Sequence, residues 1–251
     1  MFDLKGKVAI VTGGAGGLGK PLALALAQQG ADVVVTSRTL AKLEPVAKEI
    51  ERMDRKSLAI ESDVTDPASL AAMVDRVMKQ FSHIDILVNA HGINARVAAL
   101  EFNPQEYQKV IMFNVVGTFL SCQAVGRVMV QQKKGKIINL SSVRGRNAPK
   151  IVGSAYATSK GGVDSLTRTL AVEWADYNIQ VNAIAPALLM TDMTREFLSV
   201  PETYKTMTAE IPQKRLGETK DIIGPAILLA SSESDFMTGQ IIYIDGGLSA
   251  R

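Results

Sequence analysis

Short runs of β-branched and other apolar residues alternate with longer helical patterns from one end of the chain to the other. Seven runs have the length and composition of strands, at residues 8–11, 33–36, 58–61, 84–89, 136–140, 179–184 and 241–244. Strands separated by helices pair in parallel, because each crossover helix returns the chain to the end of the sheet from which it left. We therefore predict an α/β fold, a doubly wound sheet of seven parallel strands with helices on both faces.

One segment interrupts this alternation, between the sixth strand and a helix near residues 221–230. Residues 187–215 contain Pro201, Pro212 and many threonines. Long insertions of this kind commonly cover a binding site. We predict one domain over residues 1–251, with a lid-like insertion at about 187–215.

Charge and composition exclude several classes of protein. The 251 residues include 28 Lys and Arg against 25 Asp and Glu, and the basic residues are scattered, so we expect no nucleic-acid partner. Cys122 is the one cysteine, and His83 and His91 are the only histidines, which predicts no metal site and a reducing, cytoplasmic location. No stretch approaches the roughly 18 apolar residues of a membrane span, and the start lacks a signal-peptide pattern, so no membrane partner is expected.

The first strand runs directly into a glycine-rich loop, Thr12-Gly13-Gly14-Ala15-Gly16-Gly17-Leu18-Gly19-Lys20-Pro21, followed by an Ala/Leu-rich helix. Bare backbone at a helix N-terminus is typical of a phosphate site, since N–H groups and the helix dipole both attract an anion. A Walker A loop is disfavoured, because Pro21 stands where a hydroxyl must hold magnesium. The spacing of Gly14, Gly16 and Gly19 matches the dinucleotide fingerprint and favours a single-domain Rossmann-type fold.

Further motifs follow along the chain. They are Asp63-Val64, Asn89-x-x-Gly92, Asn114, Ser142, Tyr156-x-x-x-Lys160, Asn182-x-x-x-Pro186 and Asp245-Gly246-Gly247. With Thr12-Gly13-x-x-x-Gly17-x-Gly19, this series resembles the short-chain dehydrogenase/reductase family over nearly the whole chain. The segments Gly92-Ile93-Asn94-x-Arg96 and Arg215-Leu216-Gly217-Glu218 resemble its gluconate 5-dehydrogenase and deoxygluconate dehydrogenase branch. The departures are Ala90-His91 for the usual Asn-Ala, Ala187 for a glycine, and a long spacing from Ser142 to Tyr156.

The resemblance implies a catalytic group of Asn114, Ser142, Tyr156 and Lys160. Tyr156 would exchange the substrate proton, Ser142 would bond the reacting oxygen, Lys160 would hold the nicotinamide ribose, and Asn114 would support a water that relays protons. A free tyrosine has a pKa of about 10, so use near pH 7 requires roughly 4 kcal/mol of phenolate stabilisation, for which the Lys160 ammonium and the oxidised nicotinamide are the expected source. Taken singly, Ser142 could instead cap a turn, Asn114 could bond backbone groups, and Tyr156 could be an ordinary residue of its helix.

The end of the second strand bears on the choice of cofactor. An acid there binds a free ribose, whereas a cation binds a 2′-phosphate. The strand ends in Ser37-Arg38, and its only acid, Asp32, lies at the opposite end. We predict NADP(H) as the preferred cofactor and NAD(H) as the second; the alternative is an arginine that merely opens a helix. The predicted cofactor-binding residues are Gly13, Gly17, Leu18, Gly19, Ser37, Arg38, Asp63, Val64, Asn89, Gly92, Tyr156, Lys160, Pro186, Leu189 and Thr191.

Arginines on the loops over the cleft predict an anionic substrate. Arg96 follows the fourth strand, and Arg144 and Arg146 follow Ser142, although Arg146 could equally be a solvated loop residue. We predict interconversion of a secondary alcohol and a ketone on a sugar acid such as gluconate or ketogluconate, with Arg96 and Arg144 contacting substrate. The alternatives are a 3-oxoacyl thioester reductase and, in another class, a catalytically silent dinucleotide-binding regulator.

Two further expectations concern His91 and assembly. His91 stands beside the cofactor loop where a small residue is common; it could contact substrate or titrate near neutral pH, but we interpret it as a packing residue. The family resemblance also implies a homotetramer. The helix after Tyr156, with Val163 and Leu170, and residues 110–130 carry surplus apolar side chains, which either form subunit contacts or lie in the core.

Overall fold

The computed structural model describes residues 2–148, 153–191, 194 and 198–250. Its strands are β1 (Val8–Thr12), β2 (Asp32–Ser37), β3 (Ser57–Glu61), β4 (Ile86–Asn89), β5 (Gly135–Leu140), β6 (Ile179–Pro186) and β7 (Ile241–Ile244). They form one parallel sheet in the order β3-β2-β1-β4-β5-β6-β7. The predicted fold class, a doubly wound sheet of seven parallel strands, is therefore confirmed. β4 begins two residues later than predicted, because the Gln132 side chain bonds both the N–H and the carbonyl of Ile84.

The described helices alternate with these strands. They are α1 (Gly19–Gln28), α2 (Leu40–Glu51), α3 (Pro67–Phe81), α4 (Pro104–Ile111), α5 (Gly117–Gln132), α6 (Ser154–Glu173), α7 (Pro201–Glu210) and α8 (Thr219–Ala230). The start of α3 follows from its sequence, since the Asp66 carboxylate accepts the Ala68 N–H at 2.9 Å and Pro67 occupies the first turn. The helix ends where Ser82 adopts a left-handed conformation with φ 65°.

Two hydrophobic clusters cover the two faces of the sheet. The first packs α1, α2 and α8 against residues of β1 and β2, and the second packs α3, α5 and α6 against the other face. Val163 and Leu170 of α6 are buried, Leu170 within the second cluster. Val163 and Leu170 therefore belong to the core and not to a subunit contact.

Helices α4 and α5 are joined by a π-helical turn at Met112–Val116. The whole stretch, Pro104–Gln132, has 29 residues and passes the length and composition test for a membrane span, which corrects the expectation that no segment does. Its inner face is part of the core, where Cys122, Val125 and Met129 are fully buried. A core helix passes the same test, and this helix packs as one.

The winding of the sheet reverses at β1, which lies between β2 and β4. The loops that leave the carboxyl ends of β1 and β4 therefore run to opposite faces, and a crevice opens between them. This is where open α/β sheets bind their ligands. The glycine loop, Gly92, Ser142 and Pro186 all follow the carboxyl ends of strands, so the fold brings the predicted motifs to one edge.

Candidate active site

A cavity of about 500 Å³ lies at this edge of the sheet. Most residues predicted for the site line it, namely Gly13, Gly17, Leu18, Ser37, Arg38, Val64, Gly92, Arg96, Ser142, Arg144, Tyr156, Lys160, Pro186, Leu189 and Thr191. Sequence positions up to 178 residues apart thus meet in one space, as Gly13 and Thr191 do. Among the described residues, no group of three or more His, Cys, Asp and Glu side chains could hold a metal.

Four predicted residues lie behind the cavity wall rather than on it. Gly19 closes the glycine loop, where a Cβ would overlap the Gly13 carbonyl oxygen. The Asp63 carboxylate accepts the N–H and the hydroxyl of Thr65 at 2.9 and 2.7 Å. The Asn89 side chain is buried and donates to Asn139 at 2.9 Å. Asn114, the fourth, is also fully buried.

The glycine loop fits a pyrophosphate on the evidence of its backbone. Gly13 has φ +68° and packs against His91, where an added Cβ would lie 2.8 Å from the His91 nitrogen. Gly17 has φ +53°, lines the cavity and would place a Cβ in open space. Only glycine adopts such φ values freely, and the bare loop leads into the N-terminus of α1. The loop therefore leaves room for an anion beside main-chain N–H groups.

The far end of the cavity is basic. Ser37, Arg38 and Lys42 line it, and the Arg38 guanidinium lies 5.0 Å from the centroid of the Phe113 ring. Burial alone would raise the pKa of Asp63, but the hydrogen bonds from Thr65 and the charge of Arg38 lower it overall. Lys42 was missed in the sequence, although a basic residue in the first turn of the helix that follows Arg38 was the signal that could have found it.

Tyr156, Ser142 and Lys160 meet at the base of the cavity. The Ser142 hydroxyl acts to lower the pKa of Tyr156, and the Lys160 ammonium lies 5.6 Å from the centroid of the Tyr156 ring. The Lys160 Nζ donates to the Leu140 carbonyl at 2.6 Å. Burial lowers the pKa of Lys160 to about 8, against the opposing charge of Asp164.

The pKa of Tyr156 differs from the sequence expectation. Burial raises it, while the Ser142 hydrogen bond and the charge of Arg144 oppose the rise. The Lys160 ammonium lies beside the ring and is bonded to a carbonyl. At neutral pH the phenol therefore keeps its proton.

Asn114 occupies the π-helical turn between α4 and α5. Its side chain accepts the Ile93 N–H and donates to the Ile93 carbonyl, both at 2.9 Å, and it also donates to the Ser159 hydroxyl. A Cβ on Gly92 would lie 3.7 Å from both the Asn114 Oδ1 and the Lys160 Nζ. Asn114 and Lys160 thus approach the same point from behind Gly92.

His91 is 7% exposed. Burial and the charge of Lys160 lower its pKa to about 3, so the ring does not titrate near neutral pH. Arg146 does not line the cavity; its guanidinium lies 5.6 Å from the centroid of the Tyr243 ring.

Known proteins share this arrangement of sequence and fold. Residues 13–249 match the family model described as enoyl-(acyl carrier protein) reductase. The chain is 38% identical to the 2-dehydro-3-deoxy-D-gluconate 5-dehydrogenase of Escherichia coli, over 100% of this chain and 98% of that protein. It is 37% identical to the 3-oxoacyl-(acyl-carrier-protein) reductase of Thermotoga maritima, with 98% of each chain covered. The structure of a gluconate 5-dehydrogenase from Burkholderia cenocepacia in complex with NADP and tartrate matches with a TM-score of 0.96 and 34% identity, covering 100% and 98% of the two chains.

The chain belongs to the short-chain dehydrogenase/reductase family. The resemblance to the gluconate branch of that family is confirmed. The protein is accordingly an NAD(P)-dependent oxidoreductase that acts on CH–OH groups.

The insertion of this dehydrogenase covers one end of the cavity. A backbone bridge between Leu189 and Gly217 joins the two ends of the segment. Leu198, Ile211 and Leu216 form a small buried cluster inside it. Met207 of α7 and Ile211 line the cavity.

Proposed function

We propose that this dehydrogenase interconverts a secondary alcohol and a ketone on a sugar acid such as gluconate or ketogluconate, with NADP(H) as cofactor. One observation carries the substrate proposal: Arg96 and Arg144 line the same cavity as Tyr156. The charge of Arg144 reaches the phenol, since it acts against the rise of the Tyr156 pKa. A guanidinium so close to the reacting group suits a substrate that carries a carboxylate a few bonds away.

The residues at the basic end support NADP(H). Arg38 would pair with a 2′-phosphate in two parallel bonds, Ser37 would add a hydroxyl, and Lys42 would add a second charge. The glycine loop would hold the pyrophosphate, and Val64, Gly92, Pro186, Leu189 and Thr191 would complete the pocket. When bound, the nicotinamide supplies the hydride donor or acceptor.

The protein's own residues manage the proton. In ketone reduction, the Tyr156 hydroxyl donates its proton to the carbonyl oxygen as that carbon gains a hydride, and an alcohol forms. The Ser142 hydroxyl, which lines the same cavity, would hold the same oxygen. Lys160 and Asn114, which meet behind Gly92, would return a proton to the phenolate through water.

The decisive experiment compares two substrates with the purified protein. NADPH oxidation is followed with a 5-ketoaldonate and with an acetoacetyl thioester. We expect turnover of the ketoaldonate, and Arg96→Ala should lower its kcat/KM by about 10- to 100-fold, the value of one or two charge-assisted bonds. Arg76→Ala, an exposed arginine on α3, is the matched control and should change nothing. Efficient thioester reduction that is indifferent to Arg96 would reject the sugar-acid proposal.

A 3-oxoacyl thioester is the second candidate substrate. The apolar side chains of the insertion, Leu188, Met207 and Ile211, line the cavity and would suit an acyl chain. The Thermotoga maritima relative, a 3-oxoacyl-(acyl-carrier-protein) reductase, supports this alternative. The Arg96→Ala variant separates the two candidates, because a neutral thioester needs no guanidinium.

We also propose a cytoplasmic homotetramer in which residues 187–215 act as a lid. The cavity contacts of Met207 and Ile211 support the lid. The buried thiol of Cys122, whose pKa burial raises to about 12, is consistent with a reducing compartment. Exposed apolar side chains on α5 and α6 support the assembly.

A further inference from the structure

His91 lines the cavity and is bonded at both ring nitrogens. The Thr12 Oγ1 lies 2.7 Å from Nδ1, and the Thr118 Oγ1 lies 3.3 Å from Nε2. The Thr118 hydroxyl in turn lies 2.7 Å from the Asn114 carbonyl oxygen. One imidazole therefore connects β1 to the turn that carries Asn114.

The proton on the ring can be assigned from these contacts. The Thr118 hydroxyl donates to the Asn114 carbonyl, so its oxygen is left to accept from Nε2–H. The Thr12 hydroxyl is then the donor to Nδ1 at the short distance of 2.7 Å. The Thr12 hydroxyl has two longer alternatives, the Val88 carbonyl at 3.5 Å and the Asn89 Oδ1 at 3.4 Å, so the two contacts of 2.7 Å are the ones that assign the ring proton to Nε2.

The ring also contacts the π-helical turn directly. It meets the Phe113 ring edge-on, with centroids 5.5 Å apart. Within the turn, the Gly117 N–H bonds to the Met112 carbonyl, five residues back, so the turn is wider than an α-helix. Such turns are rare and depend on outside contacts.

Two glycines lie beside His91. A Cβ on Gly117 would be in ordinary contact with Nε2 at 3.4 Å, and a Cβ on Gly13 would overlap the His91 backbone nitrogen at 2.8 Å. His91 therefore lies between the glycine loop and the turn. An apolar side chain would not replace His91 equally well, because both of its ring nitrogens have specific partners.

We propose that His91 is a positioning residue, which as the neutral Nε2–H tautomer braces the π-helical turn and so holds Asn114 in place behind Lys160. The effect on turnover rests on the proposed function of Asn114; the bracing itself does not. Burial and the charge of Lys160 on α6 lower the pKa of the ring and keep it neutral, against the opposing charge of Asp63 after β3.

The tautomer is tested by NMR of the imidazole nitrogens. The chain has two histidines, so His83→Gln leaves His91 as the only signal. We expect an Nε2–H pattern that does not change between about pH 5 and pH 8. A ring protonated at Nδ1, or one that titrates in this range, overturns the proposal.

The bracing is tested with two variants of different chemistry. His91→Leu keeps bulk but removes the donor, and we expect amide hydrogen exchange at residues 112–118 to speed up by about tenfold. His91→Gln restores an N–H donor and should recover most of the protection. Equal exchange in the wild type and in His91→Leu overturns the proposal. If His91→Leu does not fold, Thr118 provides a second test, because its hydroxyl joins His91 to Asn114. Thr118→Val removes that hydroxyl and Thr118→Ser keeps it, so only Thr118→Val should speed up exchange.

Kinetics then separate a positioning role from simple packing. We expect His91→Leu to lower kcat by about tenfold with the KM for NADPH unchanged, a cost of about 1.4 kcal/mol. His91→Gln should recover most of the rate. Equal losses in both variants would show a packing role and overturn the proposal. If the wild type reduces neither substrate, the proposed function fails, whereas the exchange experiment still decides the bracing.

Discussion

Burial moves the pKa values of Lys160 and Tyr156 in opposite directions, because it disfavours whichever form is charged. Lys160 falls to about 8, whereas Tyr156 rises. At neutral pH the phenol therefore holds a proton to donate, and the ammonium is largely cationic. Asp164, four residues after Lys160, is the carboxylate that supports the ammonium. At the scale of single residues, the apo site is set for ketone reduction.

The pH dependence of reduction follows from Lys160. The kcat/KM for NADPH reports groups of the free enzyme, so it should be level below about pH 8 and fall above it as the ammonium loses its proton. Asp164→Asn removes the charge that raises the Lys160 pKa, so the fall should begin at a lower pH. Asp75→Asn, at an exposed position on α3, should leave the profile unchanged. A profile that Asp164→Asn does not shift would refute this role.

Cofactor preference is also decided by one residue. Arg38→Asp replaces a bidentate donor with an acid that repels phosphate and accepts ribose hydroxyls. We expect the ratio of kcat/KM for NADP over NAD to fall by about 100-fold or more, and Lys42→Ala to lower it less. The measurement is initial rates with both cofactors at fixed substrate. A wild-type enzyme that uses NAD at least as well as NADP would contradict the assignment.

At the scale of elements, local sequence signals determine some boundaries, and tertiary contacts determine others. Asp66 and Pro67 start α3 by themselves. The π-helical turn at Met112–Val116 depends instead on residues distant in sequence, through Ile93, Ser159 and His91. The insertion also depends on contacts between residues distant in sequence, because a backbone bridge joins Leu189 to Gly217.

The cap of α3 should contribute to stability and not to catalysis. Asp66→Ala leaves the Ala68 N–H without its partner and should lower the free energy of unfolding by about 1 kcal/mol. Its kcat/KM should equal that of the wild type, because α3 lies away from the cavity. Denaturant unfolding is the measurement, with Asp75→Ala in the middle of the same helix as the control. A loss no greater than that of the control would show that the cap is not needed.

At the scale of the whole molecule, some apolar side chains remain on the surface of one protomer. Phe119 on α5 is 38% exposed and Val172 on α6 is 81% exposed. Both belong to the face of the sheet covered by the second hydrophobic cluster. Leu40 on α2 has nearly the same exposure as Phe119, at 37%, but it starts a helix that covers the opposite face.

The proposed tetramer predicts different effects of substitution at Phe119 and at Leu40. If α5 and α6 form a subunit contact, Phe119→Asp should shift the mass measured by light scattering from a tetramer to a smaller species, since a buried unpaired charge costs several kcal/mol. Leu40→Asp, of matched exposure, should leave the mass unchanged. A wild-type protein with the light-scattering mass of a monomer would contradict the proposed tetramer.

The order of strands and helices, the glycine loop and the spacing of Tyr156 and Lys160 could be predicted from the chain alone, because periodicity, caps and glycine spacing are local properties. Which of the predicted side chains line the cavity depended on the folded protein, in which Asn89 bonds to Asn139 in the core and Arg146 lies over the Tyr243 ring. The tertiary structure also decided that His91 is neutral and that Tyr156 keeps its proton. The burial and the charges that set these protonation states come from residues far apart in sequence, so no local sequence pattern predicts them.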